Sequence, residues 1–239
     1  MPQPLNLAPA NTEDYRRLAE KRLPRVLFDY IDGGAYDERT LAENVSDFTS
    51  IRLKQRVMKD VSKIETSTEL FGHKMSMPMA LAPIGLAGMM AKRAEVQAKK
   101  AADAFGIPYC LSTAGICSLE EVAAVSDIPF WFQLYMLRDR SAVKSILARA
   151  KAVGVKTLLF TVDLAVVGAR YRDVRNGMSG GIGTWGKLRA GLFSYLSHPG
   201  WLKDVGVGGK PHVFGNLAEY VPNASSPADF KEWVDDQFD

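Results

Sequence analysis

From Met79 onward the chain repeats one pattern: a short apolar run, a helix-forming stretch, a stop, and another apolar run. The runs begin near residues 79, 107, 130 and 157, so they are 28, 23 and 27 residues apart, the length of a strand plus its crossover helix. Helices are expected between them. One runs from Ala94 to Phe105 with Gly106 as its stop, one is opened by Ser118 with Glu121 at capping-box spacing, and one runs from Arg140 to Val153 before Gly154. Alternating β and α elements imply a parallel sheet, either open and doubly wound or closed as a barrel. No G-x-G-x-x-G follows the first run, which weakens the nicotinamide-binding open sheet. The run ends favour the barrel. Ala82-Pro83-Ile84-Gly85, Ser112-Thr113, Gln133-Leu134-Tyr135 and Thr161-Val162-Asp163 all carry polar groups or tight turns, as where βα loops gather on one chemical face.

Residues 1–50 precede any strand and read as an added helical segment. Asn11 or Thr12 can cap a helix with Tyr15, Leu18, Ala19 and Leu23 at helical spacing. Pro24 restarts the chain into a second helix ending at Asp32 before Gly33-Gly34, and a third runs through Asp37 to Phe48. Residues 79–163 hold the first four βα strands and helices. Beyond Asp163 the composition shifts: Gly168 to Lys210 contains 11 of the 20 glycines and seven Lys or Arg against two Asp, a local charge of +5. Residues 168–215 therefore read as a Gly-rich basic insertion, a lid or a surface-binding loop. Within it Leu188, Leu192, Phe193 and Leu196, beside Lys187 and Arg189 and followed by Trp201, suit an interfacial amphipathic helix, a lid or a subunit contact. Pro227 to Phe238 is helix-like.

Composition narrows the class. A net charge of +3 over 239 residues gives no basic field of the kind that binds nucleic acid. Cys110 and Cys117, with six residues between them, form no disulfide framework, zinc knuckle or C-x-x-C pair, so no metal is expected and a reducing, cytoplasmic compartment is the default. The longest uncharged run, Met75 to Ala91, is broken by prolines and glycines and falls short of the ~18 apolar residues of a membrane helix. Met1 to Asn11 lacks the basic and apolar regions of a secretory signal.

Six stretches together resemble the FMN-dependent L-2-hydroxy-acid dehydrogenases and oxidases. They are Leu23-Pro24 through Phe28-Asp29-Tyr30-Ile31-Asp32-Gly33-Gly34-Ala35, Leu81-Ala82-Pro83-Ile84-Gly85, Leu111-Ser112-Thr113, Trp131-Phe132-Gln133-Leu134-Tyr135, Phe160-Thr161-Val162-Asp163 and Gly168-Ala169-Arg170-Tyr171-Arg172-Asp173. The resemblance implies an α/β (β/α)8 TIM barrel of the FMN-dependent type. Only the N-terminal helices and about four βα units of it are present, so residues 1–239 would be the N-terminal portion of one FMN-binding domain. It also implies oxidation of an L-2-hydroxy acid, L-lactate to pyruvate above all, with electrons passing to a quinone or cytochrome; an L-lactate oxidase using O2 and a non-catalytic fragment are the rivals. Gly85 is similar to the dehydrogenase side of the family.

By the same resemblance Arg170, Tyr30 and Tyr135 bind substrate, and Pro83, Ile84, Gly85, Ser112, Gln133 and Thr161 line the FMN. Asp163 pairs with the catalytic histidine. A planar guanidinium suits a carboxylate, and Gln133 and Tyr135, two apart on a strand, share a face. Each residue also has a plainer reading: Arg170 as a solvated loop charge, the tyrosines as core aromatics, Gln133 as a satisfied buried amide, and Ser112, Thr161 and Pro83 to Gly85 as turn or capping positions. The family's histidine segment is not found. His73, His198 and His212 lie at no run end, so a complementary C-terminal polypeptide is expected to supply the base. Four parallel strands would leave open edges that recruit such a partner. The resemblance further implies a tetramer-type homo-oligomer and peripheral binding on the cytoplasmic side of the inner membrane, with a purely cytoplasmic enzyme as the alternative.

Overall fold

Parallel strands form where three of the four apolar runs predict them. In the computed structural model, which describes residues 8–163, 168–178 and 194–220, β3 (Cys110–Ser112), β4 (Trp131–Leu134) and β5 (Thr157–Phe160) pair in that order, all parallel. The register sets Cys110 beside Trp131, Ser112 beside Gln133, and Gln133 beside Leu159. The run at Met79 to Ala82 does not become a strand. It makes one parallel bridge, Leu81 to Tyr109, with the Leu81 N–H donated to the Pro108 carbonyl at 2.9 Å and the Cys110 N–H to the Leu81 carbonyl at 3.0 Å. Pro78, Pro83 and Pro108 lack the N–H groups that would lengthen this ladder. The result is a partial α/β fold of the barrel type whose sheet does not close.

The strands are joined by α5 (Ala94–Phe105), α6 (Leu119–Ala123) and α7 (Arg140–Ala152), with a single-turn α4 (Ala87–Met90) before α5. Gly106 stops α5 in the left-handed region at φ 64°, a conformation that costs an L side chain energy. Ser118 and Glu121 form the expected reciprocal capping box of α6. Every residue of β3 and β4 is buried, as in a sheet covered on both faces, whereas Leu158 and Phe160 of β5 are exposed. An antiparallel hairpin, β1 (Thr68–Leu70) and β2 (His73–Met75), precedes this sheet and was not legible as strands. Its strands are three residues long, and it turns through Phe71 and Gly72, both at positive φ.

The chain divides into two compact units: a helical one, Met1–Ile51 with Gly168–Gly208, and a sheet-bearing one, Arg52–Val167 with Gly209–Asp239. The helical unit holds α1 (Thr12–Arg22), α2 (Arg25–Asp32) and α3 (Arg39–Ser46), the last continuing into the tighter turn Asp47–Ser50. Asn11 caps α1, accepting the Asp14 N–H at 2.9 Å. The basic insertion, read from its glycines as a loop, is largely helical where described. It contains α8 (Tyr171–Asn176), the turn Pro199–Trp201 and the wide-pitch turns Leu202–Val207. Trp201, expected on an interfacial face, is buried against the Tyr195 ring at 5.3 Å, while Leu196 is exposed. Lys187, Leu188, Arg189, Leu192, Phe193 and Pro227 to Phe238 lie outside the described residues. Among the described residues no helix is long and apolar enough to cross a membrane.

Candidate active site

The ends of β3, β4 and β5 are tied to one another by side chains rather than by main chain alone. Gln133, on β4, is the middle of the row. Its Oε1 accepts from the Ser112 hydroxyl at 3.1 Å and from the Thr113 N–H at 3.2 Å, and its Nε2 donates to the Thr161 hydroxyl at 2.7 Å. The Thr113 N–H can only donate, so it fixes which way the amide faces. The Thr113 hydroxyl donates to the Gln133 carbonyl at 2.6 Å, and Ala114 donates its N–H to the Ser112 hydroxyl at 3.2 Å. Ser112 and Gln133 are both buried, so their polar atoms would be costly without these partners.

Tyr135 follows β4 and is half-buried. Burial, and secondarily the nearby Asp163 charge, push its phenol above the usual range. Asp163 itself is exposed beyond the end of β5. Pro83 and Gly85 are half-buried and Ile84 is exposed, in a turn closed by Leu86 at φ 57°. Leu86 donates its N–H to the Ala114 carbonyl at 2.9 Å, which joins this turn to the one after β3.

Two buried residues that sequence reading passed over hold the turn after β3. Glu95, on the inward face of α5, accepts at one oxygen from Gly88 at 3.0 Å and from Ile116 at 2.8 Å. Asn216 accepts from Leu119 at 2.8 Å and donates to the Ser112 carbonyl at 3.2 Å. Charge on a helix and a lone Asn in a loop are ordinarily solvated, so neither stands out in the sequence. The capping Ser118, which opens α6, was the available hint that this turn is built.

Tyr30 and Arg170 come together in the helical unit. The Arg170 guanidinium lies 5.4 Å from the Tyr30 ring centroid and donates to the Tyr30 carbonyl, and its Nε donates to Asp173 at 2.6 Å. Arg172 donates to Asp32 at 2.8 Å and to Glu38 at 2.5 Å, and Arg16 bonds the same Asp32 at 2.5 and 2.9 Å. These guanidiniums hold the Asp32 and Glu38 carboxyls below the usual carboxylate range. The sequence-predicted residues thus fall into two sets, Tyr30 with Arg170 in one unit and Pro83 to Gly85, Ser112, Gln133, Tyr135, Thr161 and Asp163 in the other.

His73 sits on β2 with its ring 5.7 Å from that of Trp131, and His198 bonds the Ser194 carbonyl; neither they nor His212 stand at the end of a parallel strand. Cys110 and Cys117 are buried, which pushes each thiol up to about 12, so both are packing groups rather than nucleophiles.

The family model of the FMN-dependent dehydrogenases matches residues 19–239. This chain belongs to that family. It is 54% identical over 226 residues to the L-lactate dehydrogenase of Ectopseudomonas mendocina, covering 95% of this chain and 59% of that protein. It is 52% identical over 230 residues to the L-lactate dehydrogenase of Caulobacter sp. strain K31, covering 96% and 60%. The chain therefore spans about three fifths of the length of these relatives. Its fold is similar to that of a monotopic membrane protein, (S)-mandelate dehydrogenase, with a TM-score of 0.85 and 34% identity over 98% of this chain and 60% of that one. A mandelate oxidase solved with (S)-4-hydroxymandelic acid gives a TM-score of 0.66 at 34% identity, covering 72% and 48%.

Proposed function

We propose that the chain is the N-terminal portion of an FMN-dependent dehydrogenase that oxidises an L-2-hydroxy acid, L-lactate to pyruvate, and passes the electrons to a quinone or cytochrome. The observation that carries the reading is the row Ser112–Gln133–Thr161 across three strand ends, its first two members buried and Thr161 half-buried. Hydroxyl, amide and hydroxyl both donate and accept, which fits the alternating donors and acceptors along the edge of the isoalloxazine ring. Ser112, Gln133 and Thr161 would hold that edge, with Pro83 to Gly85 beside the ring. FMN, when bound, takes the two electrons that leave the substrate carbon.

The chain's own groups bind and orient. Arg170 offers the fork that pairs a carboxylate, and Tyr30 and Tyr135 donate to the substrate; the raised Tyr135 phenol keeps its proton for that hydrogen bond at neutral pH. In this reading Asp163 stabilises an imidazolium, and the complementary C-terminal polypeptide supplies the base. Assembly as a homo-oligomer and peripheral contact with the inner membrane belong to the same proposal, and the likeness to a monotopic membrane enzyme supports the second of them.

The test is the anaerobic visible spectrum before and after L-lactate, with and without the C-terminal portion of a relative supplied as a second polypeptide. The chain alone should take up FMN without bleaching, and the pair should bleach. Bleaching by the verified single chain would overturn the assignment of the base to a partner. A pair that binds FMN but ignores L-lactate and other L-2-hydroxy acids would overturn the activity. Rapid reoxidation by O2 would move the reading to an oxidase.

A further inference from the structure

We infer that Asn216 is a positioning residue for the flavin edge, acting through Ser112 and the turn after β3; the inference rests on the flavin reading above. Asn216 is fully buried and its amide serves two elements at once. Oδ1 takes the Leu119 N–H at the start of α6, and Nδ2 donates to the carbonyl of Ser112, the last residue of β3, whose hydroxyl bonds Gln133. One partner can only donate and the other can only accept, so the amide has one workable orientation.

The segment carrying Asn216 is fastened on both sides. Gly215 donates its N–H to the Gly115 carbonyl at 3.1 Å, and a Cβ on Gly215 would lie 2.5 Å from the Ser118 nitrogen, so only glycine admits this approach. The Asn216 carbonyl accepts from Arg149 at 3.2 Å, while the same guanidinium forks onto Glu120 at 2.8 Å twice. The fully buried Leu217 follows. Ser118 caps α6 at the Glu121 N–H and Asn216 takes the Leu119 N–H, so capping accounts for the acceptor of the Asn216 amide but not for its donor. What it adds is the donor that fixes the main chain of Ser112 from behind while the Ser112 side chain faces Gln133.

The experiment titrates FMN into the whole chain, following flavin fluorescence and the visible absorption maximum. Asn216→Ala should weaken FMN binding about tenfold, the effect of losing one buried hydrogen bond that orders the site, and shift the absorption band. Asn216→Asp keeps the acceptor for Leu119 but loses the donor to Ser112, so it should follow Ala in affinity. Ser118→Ala, which removes the cap of the same helix and leaves Ser112 untouched, should lower the unfolding midpoint but keep FMN affinity within about twofold. Wild-type affinity in a folded Asn216→Ala or Asn216→Asp variant would overturn the inference and leave the flavin reading standing. No FMN uptake by the unaltered chain would overturn both. A measurement free of variants runs in parallel: FMN should raise amide-exchange protection at residues 215–217 together with 112–119, and unchanged exchange at 215–217 would also overturn the role.

Discussion

In the sheet-bearing unit the buried strands carry Leu111, Phe132 and Leu134, and apart from Lys99, paired with Asp103 on α5, the polar groups that are buried lie at strand ends or brace a turn. In the helical unit ion pairs are prominent among the ties between segments far apart in sequence, Arg172 to Asp32 and Glu38, Arg16 to Asp32, and Arg22 to Asp204, beside uncharged ties such as the Tyr36 N–H to the Ala169 carbonyl at 2.7 Å. The first arrangement depends on area removed from water and on buried hydrogen bonds, both indifferent to moderate salt. The second depends on charges that water partly screens. One chain therefore contains a mainly apolar scaffold, proposed to hold the cofactor, and a more ion-paired scaffold around the arginine proposed to hold a carboxylate, and the two should fail under different stresses.

The largest expected effects lie in the sheet. Phe132→Ala, at a fully buried position, should cost about 3–5 kcal/mol in urea unfolding, with the loss seen as faster amide exchange across β3, β4 and β5. Glu95→Ala should come next, at about 2–4 kcal/mol, because it strips the acceptor from the buried Gly88 and Ile116 N–H groups. A small loss at Phe132 would mean that this sheet does not carry the unit.

Asp32→Asn tests the other half of the contrast. It should cost about 2 kcal/mol, since Asp32 is mostly buried while its partner Arg16 is half-exposed. The sign with pH follows from the depressed Asp32 and Glu38 carboxyls: their contribution is complete above the ordinary carboxylate range and is lost as the pH falls through their lower folded values. Amide exchange in α2 and α8 should therefore accelerate below about pH 4, and less so in Asp32→Asn. Acid sensitivity unchanged by the substitution would remove the ion pairs as its cause.

Much of this was legible because the relevant forces are local. Asn11, Ser118, Gly106 and Gly154 mark helix ends by chemistry that operates within four residues, and all four lie where the structure starts or stops a helix. The strand at Leu81 was over-read because apolar composition does not count donors, and the flanking prolines withhold them. The hairpin at 68–75 was missed because three-residue strands leave no alternation to detect. Glu95 and Asn216 were missed for a different reason: each becomes a buried brace through partners remote in sequence, Ile116 for Glu95 and Ser112 for Asn216, and Lys99, beside its local partner Asp103, also reaches the remote Ser126. The candidate site residues Ser112, Gln133 and Thr161 were named from resemblance, and their mutual bonds are what the structure adds. Arg170 and Tyr30 were likewise named separately, and their stacking was not foreseeable from either.

The smallest effect sharpens the comparison most, because it places an ion pair inside the sheet-bearing unit. Glu120 is held down to about 2, first by the forked hydrogen bond from Arg149, and its side chain is half-exposed. If ion pairs matter by exposure rather than by unit, Glu120→Gln should cost under about 1 kcal/mol and the cost should shrink further in 0.5 M salt. Its contribution is present above the ordinary carboxylate range and fades as the pH falls toward 2. The more enclosed Asp32 should keep most of its effect in the same salt. Equal salt sensitivity at Glu120 and Asp32 would mean that burial does not separate them, and the division of the molecule into an apolar and an ion-paired scaffold would then describe composition rather than stability.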